Sequence, residues 1–246
     1  MGRKSFSRPT ARRRWPVITS EAAVAGVAVT LSTITLVTSA WFSIRGSVVT
    51  AVPPASVFFY RDAGEGAGAV LTAGVDTALV NSASGNYGDV VTRITLQIDQ
   101  PGGVDPVFDY TTLVVPVFSE QAEAQAGQCP VTGRCVVNDG QFLTIETPRR
   151  TLDVPGGASR SEYVGFVLHE GNCSIEGACA AFKDFDSAAL TLARAQILTI
   201  RFHYQLHSDG EKVAVCRLDL RRPGQPPLWL AEYLERKGWA MLSCER

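Results

Sequence analysis

Residues 22–44 (AAVAGVAVTLSTITLVTSAWFSI) pass 23 consecutive positions without a charged side chain. No other feature restricts the organisation of this 246-residue chain as strongly. At ~1.5 Å per helical residue, roughly 20 apolar residues cross the hydrocarbon core of a bilayer. The run is long enough, although its Ala, Val and Thr content makes it only moderately hydrophobic. Trp41 and Phe42 stand near its far end, where an interfacial aromatic is favoured. Residues 1–15 hold six basic residues (Arg3, Lys4, Arg8, Arg12, Arg13 and Arg14) and no acid, which orients such a helix with its N-terminus in the cytoplasm. The expectation is a basic cytoplasmic tail at 1–15 and a retained transmembrane anchor at 16–45. The rival is a cleaved signal peptide, for which the usual apolar length is about 7–15 residues. Thr38-Ser39-Ala40 offers it a small-x-small site. Arg12-Arg13 raises a twin-arginine export signal, which Arg14-Trp15-Pro16 fits poorly. The Arg- and Ser-rich tail also raises an organellar presequence.

Charge divides at the same place. From residue 22 onward there are 17 Lys and Arg against 23 Asp and Glu, so the body carries −6 and the near-neutral total comes from the basic tail. An acidic body argues against nucleic acid as a partner. With 46% apolar and 19% charged residues, the chain is neither mostly disordered nor a polytopic membrane protein. The six cysteines (Cys129, Cys135, Cys173, Cys179, Cys216 and Cys244) all follow the apolar run, on the side that the topology puts outside the cytoplasm. Fifteen pairings are formally available. Spacing favours Cys129–Cys135 and Cys173–Cys179 as short loops, which leaves Cys216–Cys244. A zinc site is the alternative, but no C-x-x-C occurs.

Beyond the apolar run, residues 46–54 read as a linker stiffened by Pro53-Pro54. Strands are expected at Ser56–Tyr60, Ala69–Val80, Val90–Ile98 and Thr111–Phe118, separated by Gly-, Asn- and Asp-rich breaks. Residues 91–98 alternate at period two, as in a half-buried strand. This spacing predicts a small antiparallel β-sandwich over 55–128, with EQAEAQAGQ (120–128) as a helix or linker at its boundary. Over 129–246, strands are expected at Gln141–Glu146, Thr151–Val154 and Tyr163–Leu168, then a helix at Cys179–Ala195. Two further strands, Ile197–Leu206 and Val213–Leu220, flank the Asp209-Gly210 hairpin signal. Leu228–Lys237 reads as a helix that stops at Gly238. That order is compatible with a five-stranded OB-type barrel carrying two helices.

Two resemblances add to this reading. Val213-Ala214-Val215-Cys216-Arg217-Leu218, Leu230-Ala231-Glu232-Tyr233-Leu234 and Lys237-Gly238-Trp239-Ala240 resemble the C-terminal end of staphylococcal-nuclease-like domains. Val137-Asn138-Asp139-Gly140-Gln141 stands where that family carries its V-x-D-G-D motif, so the resemblance covers about 137–242. It implies an OB barrel with substituted chemistry. Gln141 replaces a calcium-binding aspartate next to Asp139, Glu211 replaces the hairpin arginine, Arg150 aligns loosely with the other catalytic arginine, and the I-D-A-P-E run is absent. An anion in place of a cation repels a phosphodiester. The second resemblance is at Ser20-Glu21-Ala22-Ala23-Val24, which is similar to the start of type IV pilins and archaellins, with Pro16 where a glycine is usual. An interfacial glutamate at an apolar helix start, favoured by the helix dipole, is the plainer explanation.

Other chemistry is sparse. His203 and His207, four apart on an expected strand, with His169 as a third ligand, form a candidate metal set; surface histidines are the plainer reading. Asp184 and Asp186 lie ~200° apart on a helix and form no carboxylate pair. Arg217, Arg221, Arg222, Arg236 and Lys237 are interleaved with Asp219, Glu232 and Glu235, which describes a mixed solvated face. No catalytic residue, metal or cofactor is implied. The sequence therefore leads to a membrane-anchored extracytoplasmic binding or scaffolding protein whose partners are the membrane and another extracytoplasmic protein. A filament subunit and an atypical calcium-dependent nuclease are the alternatives.

Overall fold

A computed structural model describes residues 27–38, 46–63, 68–83, 87–100, 103–118, 133–138, 142–175, 177–208 and 210–245. Two compact units result, residues 1–45 and 46–246.

In the first unit, residues 27–38 form helix α1. Its hydroxyls are satisfied locally: Ser32, Thr33, Thr35 and Thr38 each donate to the carbonyl four residues earlier, at 2.8–2.9 Å. That is how β-branched, polar Thr is accommodated in a helix interior. Among the described residues, no helix is long and apolar enough to cross a membrane. The expected single transmembrane helix is corrected accordingly. Glu21 and the basic tail lie outside the described residues.

The second unit is mainly β. Its strands are β1 (Val49–Val52), β2 (Ser56–Asp62), β3 (Val70–Asn81), β4 (Asp89–Asp99), β5 (Val107–Asp109), β6 (Thr112–Phe118) and β7 (Arg134–Asn138). They continue with β8 (Phe142–Pro148), β9 (Leu152–Val154), β10 (Ser159–Leu168), β11 (Ile197–Leu206), β12 (Glu211–Asp219) and β13 (Trp239–Ser243). Helix α2 (Phe185–Arg194) precedes β11 and helix α3 (Trp229–Lys237) precedes β13. Asp184 caps α2 by accepting from Ser187 N at 2.7 Å. Gly238, at φ +73°, ends α3 in the left-handed conformation that a Cβ disfavours.

All pairings are antiparallel, in two sheets. The large sheet runs β13-β2-β3-β10-β6-β8-β7, with β1 also on β3. The small sheet runs β12-β11-β4-β5, with β9 also on β4. One continuous core draws on both sheets and both helices: Val57, Phe59 and Ala73 from the large sheet, Leu96, Phe202 and Cys216 from the small one, and Phe185, Leu192 and Leu234 from the helices. Alternation accounts for this, because inward residues of each strand recur at period two.

This topology overturns the expected sandwich followed by an OB barrel. Strands from 55–128 and from 129–246 share both sheets. β3 pairs with β10 over Leu71–Val80, β4 pairs with β11 over Val91–Asp99, and β13 pairs with β2. Strands from the stretch 137–242 are divided between the sheets: β8, β10 and β13 in the large one, β9, β11 and β12 in the small one. A five-stranded barrel requires them in a single sheet. Local patterning marks where strands lie, whereas pairing between distant strands depends on burial of the shared core.

The far face of the large sheet folds on itself. Gly74 of β3 and Gly165 of β10 are directly paired. A Cβ on Gly74 would stand 2.0 Å from the Phe58 ring, and one on Gly165 would stand 2.7 Å from Thr112 Oγ1. This glycine crease lets β2 approach β8 and β7, although three strands separate it from β8 and four from β7 in sheet order. A second small core of Phe58, Tyr60, Val114 and Phe142 fills the curl, with Trp239 stacked on Phe142 at 4.9 Å.

Candidate interaction edge

The curl carries a buried polar network that the sequence does not announce. Tyr60 donates to Glu146 at 2.5 Å, and Arg134 bridges Glu146 (2.6 Å) and Asp62 (2.5 Å). Burial, reinforced by Glu146, pushes the Tyr60 hydroxyl well above its ordinary pKa. The two carboxylates hold the Arg134 guanidinium above its own. The network fixes the approach of β7 and β8 to β2, and with it the position of β13 at the neighbouring edge.

The sites expected from sequence lie elsewhere and apart. Asp139 and Gln141 lie outside the described residues. Arg150 pairs with Glu162 at 3.0 Å and lines a cleft of about 530 Å³ together with Arg149, Tyr110 and Arg93. Glu211 Oε1 meets a different group, His203 Nδ1, at 2.8 Å. Among the described residues, no cluster of three His, Cys, Asp or Glu side chains could hold a metal ion. His169 Nδ1 accepts from Gly171 N at 3.0 Å, and the other ring nitrogen of His203 meets Gln97 Oε1 at 3.0 Å. β11 ends at Leu206, so His207 lies just beyond the strand that carries His203. Asp184 is the α2 cap described above.

Cysteine pairing follows the spacing at two places. Cys173–Cys179 and Cys216–Cys244 are disulfides. Cys135 is disulfide-bonded as well, while Cys129 lies outside the described residues. Such bonds belong to an oxidising, extracytoplasmic compartment.

The Cys216–Cys244 bond joins the edge strands of the two sheets, β12 and the end of β13. Beside it, Glu245 N donates to Arg217 O at 2.7 Å, an isolated antiparallel bridge. Among the described residues, β13 has β2 on one side toward its start and no strand on the other. The ladder register identifies which groups face outward. Gly238 O accepts from Arg61 N, and Cys244 N donates to Ala55 O. At period two, residues 238, 240, 242 and 244 turn to β2, and Met241 and Ser243 direct their backbone N–H and C=O groups away from it. Both residues are exposed.

Alongside this open stretch runs a groove of about 360 Å³ lined by Arg222, Trp229, Tyr233, Trp239, Met241 and Leu242. Arg222 lies 4.0 Å above the Trp229 ring and Arg236 lies 5.8 Å from that of Tyr233. Trp229 is held in place by its Nε1, which donates to Leu220 O at 2.6 Å. Arg222 also opens into an adjoining cleft of about 630 Å³ with Arg194, Arg221, Pro226 and Pro227. Arg221 is neutralised by Asp219 at 2.6 Å, and this pairing holds the Asp219 carboxyl down to about 2. No described carboxylate stands within ion-pairing distance of Arg194, Arg222 or Arg236. The interleaved charges expected at this end of the chain are paired in part, Arg221 with Asp219 and Arg217 with Glu245 at 3.4 Å, while Arg222 stands over the Trp229 ring.

Comparisons with known proteins are sparse. No family model and no curated protein matches the chain. Among solved structures it is similar to ACE19, the collagen-binding subdomain of the Enterococcus faecalis surface protein ACE. Identity is 13%, the match covers 65% of this chain and 92% of the other, and the TM-score is 0.16. So distant a likeness says nothing about function.

Proposed function

We propose that this chain is an extracytoplasmic binding or scaffolding module whose partner is another extracytoplasmic protein. The observation that carries this reading is the corner at β13. Arg222, with no described carboxylate within ion-pairing distance, and an aromatic groove lie there beside the exposed stretch of β13, on a frame stapled by the Cys216–Cys244 disulfide. Rigid aromatic and Arg side chains at the rim of a groove are the residue types that carry most protein recognition energy. The net charge of −6 over the body favours a protein partner over nucleic acid.

Site-specific photo-cross-linking on intact cells tests the reading. A photoreactive residue at Met241 of the full chain is expected to give light-dependent adducts with an extracytoplasmic protein. The same residue at Thr95, on the outer face of the small sheet, is expected to give none. Absence of adducts from Met241, or equal adducts from both positions, removes the proposal.

A further inference from the structure

We infer that β13 accepts an extended acidic peptide segment as an added strand, a conclusion that rests on the reading above and names the chemistry of its partner. Three observations converge. The N–H and C=O groups of Met241 and Ser243 face away from β2, and both residues are exposed, which is the main-chain arrangement that strand addition uses. The groove beside them is walled by Trp229, Tyr233 and Met241, apolar lining for the alternate side chains of a strand, which recur every ~7 Å along one face. Arg222 lines that groove with no described carboxylate within ion-pairing distance, so an incoming Glu or Asp supplies an anion to it.

The same features disfavour a second copy of this chain as the occupant. Its β13 (Trp-Ala-Met-Leu-Ser) contains no acid and so offers no anion to Arg222. The Arg217–Glu245 bridge and the disulfide close one end of the free edge. They limit the added strand to a short segment opposite residues 239–243.

The probes are three fluorescein-labelled octapeptides: alternating Thr-Glu, alternating Thr-Lys, and a Thr-Glu peptide with proline at a central position. The full chain is titrated against each, with anisotropy as the binding readout and amide hydrogen exchange as the structural one. The expected result is that the Thr-Glu peptide binds about tenfold or more tightly than the Thr-Lys peptide and slows exchange at the Met241 and Ser243 amides. Proline in the peptide, which removes a ladder donor, is expected to weaken binding by a similar factor. Arg222→Ala is expected to reduce affinity about tenfold for the acidic peptide and leave exchange in β3 and β11 unchanged.

Equal binding of the acidic and lysine peptides overturns the inference. So does binding that leaves Met241 and Ser243 exchange unaltered, or that tolerates the proline. Concentration-dependent protection of those amides without peptide overturns it in favour of self-association. Cross-links from Met241 that persist while every peptide result is negative leave the binding reading intact and remove only the acidic strand. Loss of both removes the reading itself.

Discussion

At the scale of single residues, a few side chains control the shape of the molecule. Gly74 permits the crease of the large sheet because the Phe58 ring occupies the volume that a Cβ would need. That ring cannot easily move away, being packed 5.9 Å from both Tyr60 and Phe142. Gly74→Ala is therefore expected to cost about 3 kcal/mol in urea unfolding, and adding Phe58→Leu to recover part of it, since the two substitutions share one contact. Asp89 acts differently. It is buried and accepts from Ser208 Oγ (2.6 Å), from Ser47 Oγ and from Val90 N, so it ties the start of β1 to the β11–β12 turn. Burial alone would raise its pKa, but the hydrogen bonds from Ser208 and Ser47 outweigh burial and hold the carboxyl below its usual 3.8. With the folded value depressed, its contribution is complete above pH ~4 and is lost as pH falls through the folded value. Thermal melts between pH 7 and pH 2 are expected to show Asp89→Asn less stable at pH 7. The gap from the parent should narrow below pH ~4; a constant gap would contradict the assignment.

At the scale of elements, the edges of the two sheets are the decisive feature. β12 and β13 belong to different sheets and are joined by a bond that closes a sequence separation of 28 residues. By the loop-entropy relation, replacing Cys216 and Cys244 together by Ala is expected to cost about 3–4 kcal/mol. Chemical denaturation of the double variant measures this. The loss should concentrate in faster hydrogen exchange at β13 and α3, which the bond ties down. Most elements were legible in sequence. Ile197–Leu206 alternates cleanly and forms β11 over those very residues, and Gly238 stops α3 as its position implies. The short strands β1, β5, β7 and β13 were not. Their own residues carry too little periodicity to signal a strand, and each is completed by pairing with a neighbour. The candidate interaction edge was missed for that reason. Trp239-Ala240 was noticed as a motif after a helix, while its place at the rim of a sheet depends on β2, some 180 positions earlier.

At the scale of the whole molecule, the chain from 46 to 246 folds as an interdependent unit. Residues 55–128 place their long strands β3 and β4 against β10 and β11, both drawn from the other half. A fragment 46–128 is expected to be unfolded by circular dichroism and amide dispersion, and to gain structure when mixed with 129–246. A folded isolated fragment would contradict the interleaved sheets. The sequence alone determined the β character of the body, most strand positions, the helix ends and two of the cysteine pairs. Each of these follows from period-two alternation, turn chemistry or short loop spacing, which act within about ten residues, or from the simple arithmetic of leftover cysteines. Only the tertiary structure decided which strands pair, that the two expected domains merge, and that Arg222, Trp229 and Met241 meet at one open edge. Those outcomes depend on burying a shared core and a crease at two paired glycines, and contacts across ninety or more residues leave no periodic trace in the chain.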